Sequence, residues 1–405
     1  MAASPAYLRG GFRPFFLAGA AWAVLALSAW LLILTQAITL PIAVDPLAWH
    51  RHEMLFGFVG AVVAGFLLTA IPNWTGRLPI AGGPLAAFVG LWVAARAAMF
   101  FSGEAWFWAK IGLATAALLD VGFLLVLAAI AGREVIAANN RNRPVVGIVL
   151  LLAIASALDH AAMAGAIADE TIGVRLGVGT ITVLISLIGG RLVPSFTRNW
   201  LARQDGHGSL PTQPGRFDLV SIGVTVAAVI AWVVFPGAWA VGALLLLAGA
   251  LQLARLARWQ GYRTIADPLV AMLHLAYLWI PIGLALLGAS VLGASGVGFD
   301  VGGLGVSQSG AIHALTVGAM GSMILAVMTR ATLGHTGREL KADRSTKALY
   351  GAITLAAIAR VAASFAGEHY SAMVNASGLL WIAAFGLFLW NYGPMLIRPR
   401  KGEAG

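Results

Sequence analysis

The chain has no cysteine, and that absence removes a long list of chemistries. Disulfides, iron–sulfur clusters, covalently attached c-type haem and thiolate copper centres are all excluded. Any metal or cofactor must be held by His, Met, Asp, Glu, Tyr or backbone atoms. Charge is scarce as well: 10% of residues are Asp, Glu, Lys or Arg, against roughly 25% in a soluble domain. With 60% hydrophobic residues and a mean hydropathy of +0.87, no soluble core could hide the apolar surface, so lipid must cover it. No nucleotide-binding loop follows a strand–helix pattern, which removes ATP-driven transport within this chain. The net charge of +10 comes from basic residues scattered between apolar runs, not from a basic domain, so it does not imply nucleic acid as a partner.

A membrane helix needs about 20 mostly apolar residues. Breaks at charge, Pro and Gly predict twelve spans, near 14–35, 50–71, 84–102, 106–131, 145–168, 171–193, 217–235, 237–256, 268–293, 309–329, 346–366 and 371–397. The expected fold is therefore all-α, a polytopic bundle forming one integral membrane domain over 1–405. The first span follows Arg9 and Arg13 but is too long for a signal peptide, and it is read as retained. With both termini in the cytoplasm, 21 of the 26 Lys and Arg fall in cytoplasmic loops, as the positive-inside rule requires. The outward loops carry Asp45, Glu104, Asp169, Glu170, Asp300 and Glu368 instead. Trp49, Trp74, Trp106, Trp108, Trp200 and Trp239 sit near span ends, where an aromatic belt belongs.

Spans 2 and 10 repeat one another. His52, Gly57, Gly60 and Thr75-Gly76-Arg77 fall in register with His313, Gly318, Gly321 and Thr336-Gly337-Arg338, and each run covers 25 residues from His to Arg. At helical rise that is about 37 Å, roughly one bilayer. The two spans point the same way, so the repeat is parallel, and its spacing is compatible with three units of four helices.

Ionisable groups inside spans are costly and mark functional candidates. His52 and His313 lie at matched depth on parallel helices, and two histidines from facing helices are what a six-coordinate b-type haem requires. The plainer reading of each is a hydrogen-bonded interfacial residue. Haem propionates need cations, and the five basic residues outside the cytoplasmic set are Arg51, Arg96, Lys110, Arg175 and Arg360. Arg96 and Arg360 lie about 9 Å deep and suit a propionate, or else pair with Glu53, Asp120 or Asp159. His50 points about 200° away from His52, so it either replaces His52 as ligand or serves a separate copper. His160, beside Asp159 and one turn before Met163, suits copper or a structural polar contact. His274 and Tyr277 form a second ligand site, a proton relay or an interhelical contact. His335 reads as an interface anchor, His207 as solvated, and Gly302-Gly303 as a connector.

The motifs taken together resemble the NnrS family. Gly11-Phe-Arg-Pro-Phe-Phe16, Trp49-His-Arg-His-Glu-Met-Leu-Phe-Gly57, Pro72-Asn-Trp-Thr-Gly-Arg77, His274-Leu-Ala-Tyr-Leu-Trp-Ile-Pro281 and the segment from His313 to Arg338 carry the likeness over nearly the whole chain. The resemblance implies a twelve-helix protein of the bacterial inner membrane, containing haem and copper, that copes with nitric oxide, often alongside denitrification. More distantly the layout is similar to the core subunit of haem–copper oxidases and nitric oxide reductases, whose haem histidines lie on helices 2 and 10. Here span 10 carries one histidine where that superfamily has two, and spans 6 and 7 lack its copper histidines, so a second, catalytic haem–copper centre is not expected. The leading expectation is a haem b protein, with copper, that binds nitric oxide or exchanges electrons with a redox partner. The competing class is a secondary transporter of a small solute or metal complex, disfavoured because the intramembrane charges cluster towards one face. A cofactor-free assembly factor is the third.

Overall fold

Residues 5–103, 109–204, 209–296 and 305–402 are described by the structure, a computed structural model; the side chains of 109 and 110 are not. Glu104, Trp106, Trp108, His207, Asp300, Gly302, Gly303 and the side chain of Lys110 lie outside the described residues. Among those described there is no strand, and twelve helices are long and apolar enough to cross a membrane. They are α1 Phe12–Leu34, α2 Pro46–Thr75, α3 Gly82–Phe100, α4 Ile111–Ala137, α5 Arg143–Met163 and α6 Ile172–Leu201, followed by α7 Arg216–Val234, α8 Trp239–Ala257, α9 Pro268–Ala294, α10 Gln308–His335, α11 Arg344–Ala363 and α12 Gly367–Ile397. Each answers to one predicted span.

The ends differ from expectation for identifiable reasons. Pro72 and Pro194 were read as breaks, yet both lie inside helices. A proline near a helix end removes one backbone donor, which a membrane helix tolerates when neighbours re-satisfy the freed carbonyl. At its start, α2 begins four residues early because Asp45 accepts the N–H groups of Leu47 (2.9 Å) and Ala48 (3.2 Å) and Pro46 occupies the first helical position. His50 and His52 are thereby set inside a helix and not in front of one.

The chain forms two compact units. Unit 1 comprises Met1–Gly177, Thr332–Arg338 and Phe388–Gly405; unit 2 comprises Val178–Ala331 and Glu339–Leu387. In unit 1, α1 packs on α2, α2 on α4, and α4 on α3 and α5. The rings of Phe15, Phe88 and Phe123 meet between α1, α3 and α4 at centroid distances of 4.7 to 5.8 Å. Lipid tails are as apolar as these rings, so shape and dispersion, not water exclusion, hold the helices together. The Arg13 guanidinium donates to the carbonyls of Met395 (3.3 Å), Leu396 (2.9 Å) and Arg398 (2.7 Å), serving acceptors that the end of α12 leaves open.

In unit 2, α8 and α9 approach backbone to backbone. A Cβ on Gly242 would lie 2.9 Å from the Gly288 carbonyl oxygen, and one on Gly288 would lie 2.7 Å from that of Gly242. Larger residues would force the helices apart, the usual reason for small residues at membrane helix contacts. Within this unit α9 also packs on α10, and α10 on α11.

The repeated sequence carries repeated backbone. Directly after His52 the helix widens to π-helical winding over Glu53–Val59, and directly after His313 it does so over Ala314–Gly321. Such widened turns recur at functional sites. Both Thr-Gly-Arg ends turn through a left-handed glycine, Gly76 at φ 70° and Gly337 at φ 72°, a conformation glycine adopts without strain.

Candidate metal centre

Four helices of unit 1 bring a polar group together in apolar surroundings. From α2 come His52 and Glu53, from α3 Arg96, from α4 Asp120, and from α5 Asp159 and His160; all are buried. His52 Nδ1 lies 2.8 Å from Asp159 Oδ2, and His52 Nε2 lies 3.1 Å from Asp120 Oδ2. The same Asp120 oxygen lies 3.2 Å from His160 Nε2. Asp120 Oδ1 is in close contact with the Arg96 guanidinium, which also donates to Glu53 Oε2 at 2.5 Å. Trp22 Nε1 donates to that same Glu53 oxygen at 2.7 Å.

The winding of α2 makes room for this group. A Cβ on Gly57 would lie 2.6 Å from both Arg96 Nη1 and Glu53 Oε2. Trp92, on α3, donates its indole N–H to the Gly57 carbonyl at 3.0 Å.

Two features mark the group as incomplete. A neutral imidazole carries one N–H, yet both nitrogens of His52 face carboxylate oxygens. One of these contacts therefore needs a further proton or a cation. Charge says the same: with both imidazoles neutral, three carboxylates face one guanidinium and two negative charges are left over. Burying an unmatched charge costs several kcal/mol after relaxation, so something positive belongs here. Glu53 Oε1, Asp159 Oδ1, Ser156 Oγ and His160 Nδ1 are also buried without a hydrogen-bond partner among the described residues, each at about 1–3 kcal/mol.

His52 Nε2, His160 Nε2 and Asp120 offer ligand atoms within 4.8 Å of one another, which is metal-site spacing. The Asp159 contact to His52 Nδ1 is the carboxylate–histidine support that metal-bound imidazoles usually have.

Other predicted site residues fall elsewhere. The His50 ring stacks on Trp30, 4.5 Å between centroids, and is not among the converging ligands. Arg51 donates to the Glu170 carbonyl at 3.1 Å. Of the two readings of Arg96, a propionate partner or pairing with Glu53, Asp120 or Asp159, the structure shows contacts of the second kind, to Glu53 and Asp120. Met163 packs against the apolar cluster of Ala26, Trp49, Met99 and Ala116. At the start of α6, Arg175 holds Asp169 through Oδ2 at 2.5 Å. That contact, helped by Thr171, draws the Asp169 carboxyl down to about 2.

Unit 2 holds two further polar groups. His313 Nδ1 donates to the Ser309 carbonyl at 2.7 Å, which leaves Nε2 as the lone-pair nitrogen. Arg360, buried, donates through Nη2 to Ser309 Oγ at 2.9 Å, while its Nη1 has no hydrogen-bond partner. No carboxylate among the described residues pairs with it. The second group is closed on itself. Arg255 donates to Asp218 Oδ1 (2.7 Å), to the Ser186 carbonyl (2.9 Å) and to the Tyr277 hydroxyl (2.9 Å); Tyr277 donates to Gln252 Oε1 (2.6 Å), and Gln252 Nε2 to Ser186 and Thr225 (2.8 Å each). Tyr277 thus belongs to this network, whereas His274 bonds Thr197 Oγ1 at 2.7 Å. Thr197 gives its own proton to the Val193 carbonyl, so the His274 Nε2–H is the donor and its buried Nδ1 is unpartnered.

Reading the sequence named Asp120 only as a partner for arginine, and Asp159 as a partner for arginine or as the carboxylate beside His160; it did not bring either to His52. The available signal was their position, carboxylates inside apolar spans.

Comparison with known proteins gives one clear result: the family model described as NnrS protein matches residues 6–400. No curated protein matches the chain.

Proposed function

The chain belongs to the NnrS family, and from that premise and its buried chemistry we propose that it protects the cell against nitric oxide at metal centres within the membrane. The observation that carries the reading is the convergence of His52, Asp120 and His160 in a buried group short of positive charge. In this reading the protein lies in the bacterial cytoplasmic membrane with both ends inside and serves cells that denitrify.

Two cofactors are expected, and the residues present fit them differently. Haem b suits unit 2, where His313 presents a lone pair at Nε2 and Arg360 a guanidinium edge with an unused N–H for an acidic group. When bound, haem would supply a redox-active iron able to bind nitric oxide. His52 suits an ion within its own cluster better than a haem iron outside it, because both its nitrogens already face carboxylates. The roles of the chain's own residues follow: Asp159 orients His52, Arg96 holds one oxygen of Asp120, and Ser309 fixes the His313 ring. Solute transport, the competing class, would draw on the Arg255 network, but that network makes its hydrogen bonds within the chain and leaves no open site.

The test is spectroscopic. Protein purified in detergent is expected to show a reduced haem α-band that His313→Ala abolishes, and a metal content that His160→Ala lowers. A colourless, metal-free protein from cells supplied with haem and copper would overturn the reading and bring transport forward.

A further inference from the structure

The donor atoms in unit 1 specify the ion more closely than the family does. Two imidazole nitrogens and one carboxylate oxygen converge there. The chain lacks cysteine, and Met54, Met99 and Met163 pack in an apolar cluster. Copper(I) therefore loses the soft ligands it prefers, and a nitrogen–oxygen set suits a divalent first-row ion. Charge points the same way, since a divalent cation balances the two negative charges that Glu53, Asp120 and Asp159 leave over against Arg96. Asp120 is also divided in its duties, with Oδ1 held by Arg96 and Oδ2 turned to both histidines.

Two histidines and one carboxylate, with other positions open, form the ligand set of non-haem iron(II) sites. We propose that His52, Asp120 and His160 hold one non-haem iron(II) ion, with Asp159 and Arg96 as positioning residues. The choice of iron over zinc and copper(II), which the same donors would also bind, rests on the nitric-oxide reading, because iron(II) is the ion of this class that binds nitric oxide tightly.

The full chain, purified anaerobically in detergent, is assayed separately for haem and for non-haem iron. Metal-stripped protein is then titrated with cobalt(II), followed by its visible absorption, and with iron(II), followed by nitric oxide and electron paramagnetic resonance. The expected result is one ion per chain and the signal of a high-spin iron–nitric oxide complex. Asp120→Asn and His160→Ala should abolish both, and Asp159→Asn should weaken binding about 10- to 100-fold. His313→Ala should leave iron(II) binding unchanged. Elution profile and unfolding temperature check that each variant folds, and the wild-type titrations need no variant at all. The proposal fails if wild-type protein takes up zinc or copper(I) but not iron(II), or if folded Asp120→Asn binds as wild type does. Stoichiometric iron(II) binding that Asp120→Asn abolishes, in a protein giving no protection to a deletion strain exposed to nitric oxide, supports the site while overturning the proposed function. A folded Asp120→Asn that binds iron(II) as wild type does, in a protein that still protects the strain, overturns the site and leaves that function standing.

Discussion

Helices α2 and α10 start from the same sequence pattern and end in different chemistry. Each has a histidine, π-helical winding directly after it, a glycine five residues on and a left-handed glycine at its far end. In α2, Gly57 clears space for the Arg96–Glu53 ion pair. In α10, a Cβ on the equivalent Gly318 would lie 2.5 Å from the Trp279 ring, so there the glycine clears space for an indole. His52 is enclosed by carboxylates; His313 is held by its own backbone beside an arginine with no acidic partner. A repeat can thus preserve backbone while neighbouring helices decide what the backbone is for. The partners of His52 come from α4 and α5, those of His313 from α10 itself and α11.

Substitutions at matched positions put this contrast to work. The largest effect is expected at the arginines. Arg96→Leu strips the counter-charge from buried carboxylates and should cost about 3–5 kcal/mol of stability, whereas Arg360→Leu, which breaks no ion pair, should stay within about 1 kcal/mol. Equal losses in denaturant unfolding would erase the distinction. Next come the glycines: Gly57→Ala and Gly318→Ala should each cost about 1–3 kcal/mol by overpacking, but only Gly57→Ala should lower bound metal. Metal analysis of the two purified variants separates them, and loss of metal from Gly318→Ala would break the comparison. Smaller still is Tyr277→Phe, expected to cost about 1 kcal/mol for a lost hydrogen bond without altering metal content.

The smallest effect serves as a control outside both groups. Asp169 is exposed, and Arg175 with Thr171 draws its carboxyl down to about 2, below the ordinary aspartate range. A depressed folded value means stability that is present above the ordinary carboxylate range and lost as pH falls towards 2. Asp169→Asn should therefore lower the unfolding temperature slightly near neutrality, and its difference from wild type should vanish near pH 2. A difference that persists there would mean that charge is not its source.

Architecture was legible in the sequence because each span is a local property: a run of apolar residues reports its own helix. All twelve could be read that way. Among the misjudged ends are those at Pro72 and Pro194, where tolerance of a proline depends on neighbouring helices. The π-helical turns have no apolar signature, although the shared glycines marked their place. The buried group that could hold a metal was only half legible. His52, Arg96 and His160 stood out as polar residues in apolar spans, but nothing in spacing along the chain says that Asp120, 68 residues beyond His52, closes the group. That Arg96 pairs with Glu53 and Asp120 was one of the two readings the sequence offered, and spacing alone could not choose between them.

The Arg13 contacts have a consequence for biosynthesis. This guanidinium is on the first helix, and the carbonyls it serves lie 382 to 385 residues further along. While the intervening helices are inserted one after another, Arg13 waits at the cytoplasmic start of its helix without those acceptors, and water or a lipid headgroup takes its hydrogen bonds in the meantime. Unit 1 can be finished only after unit 2 has been threaded through.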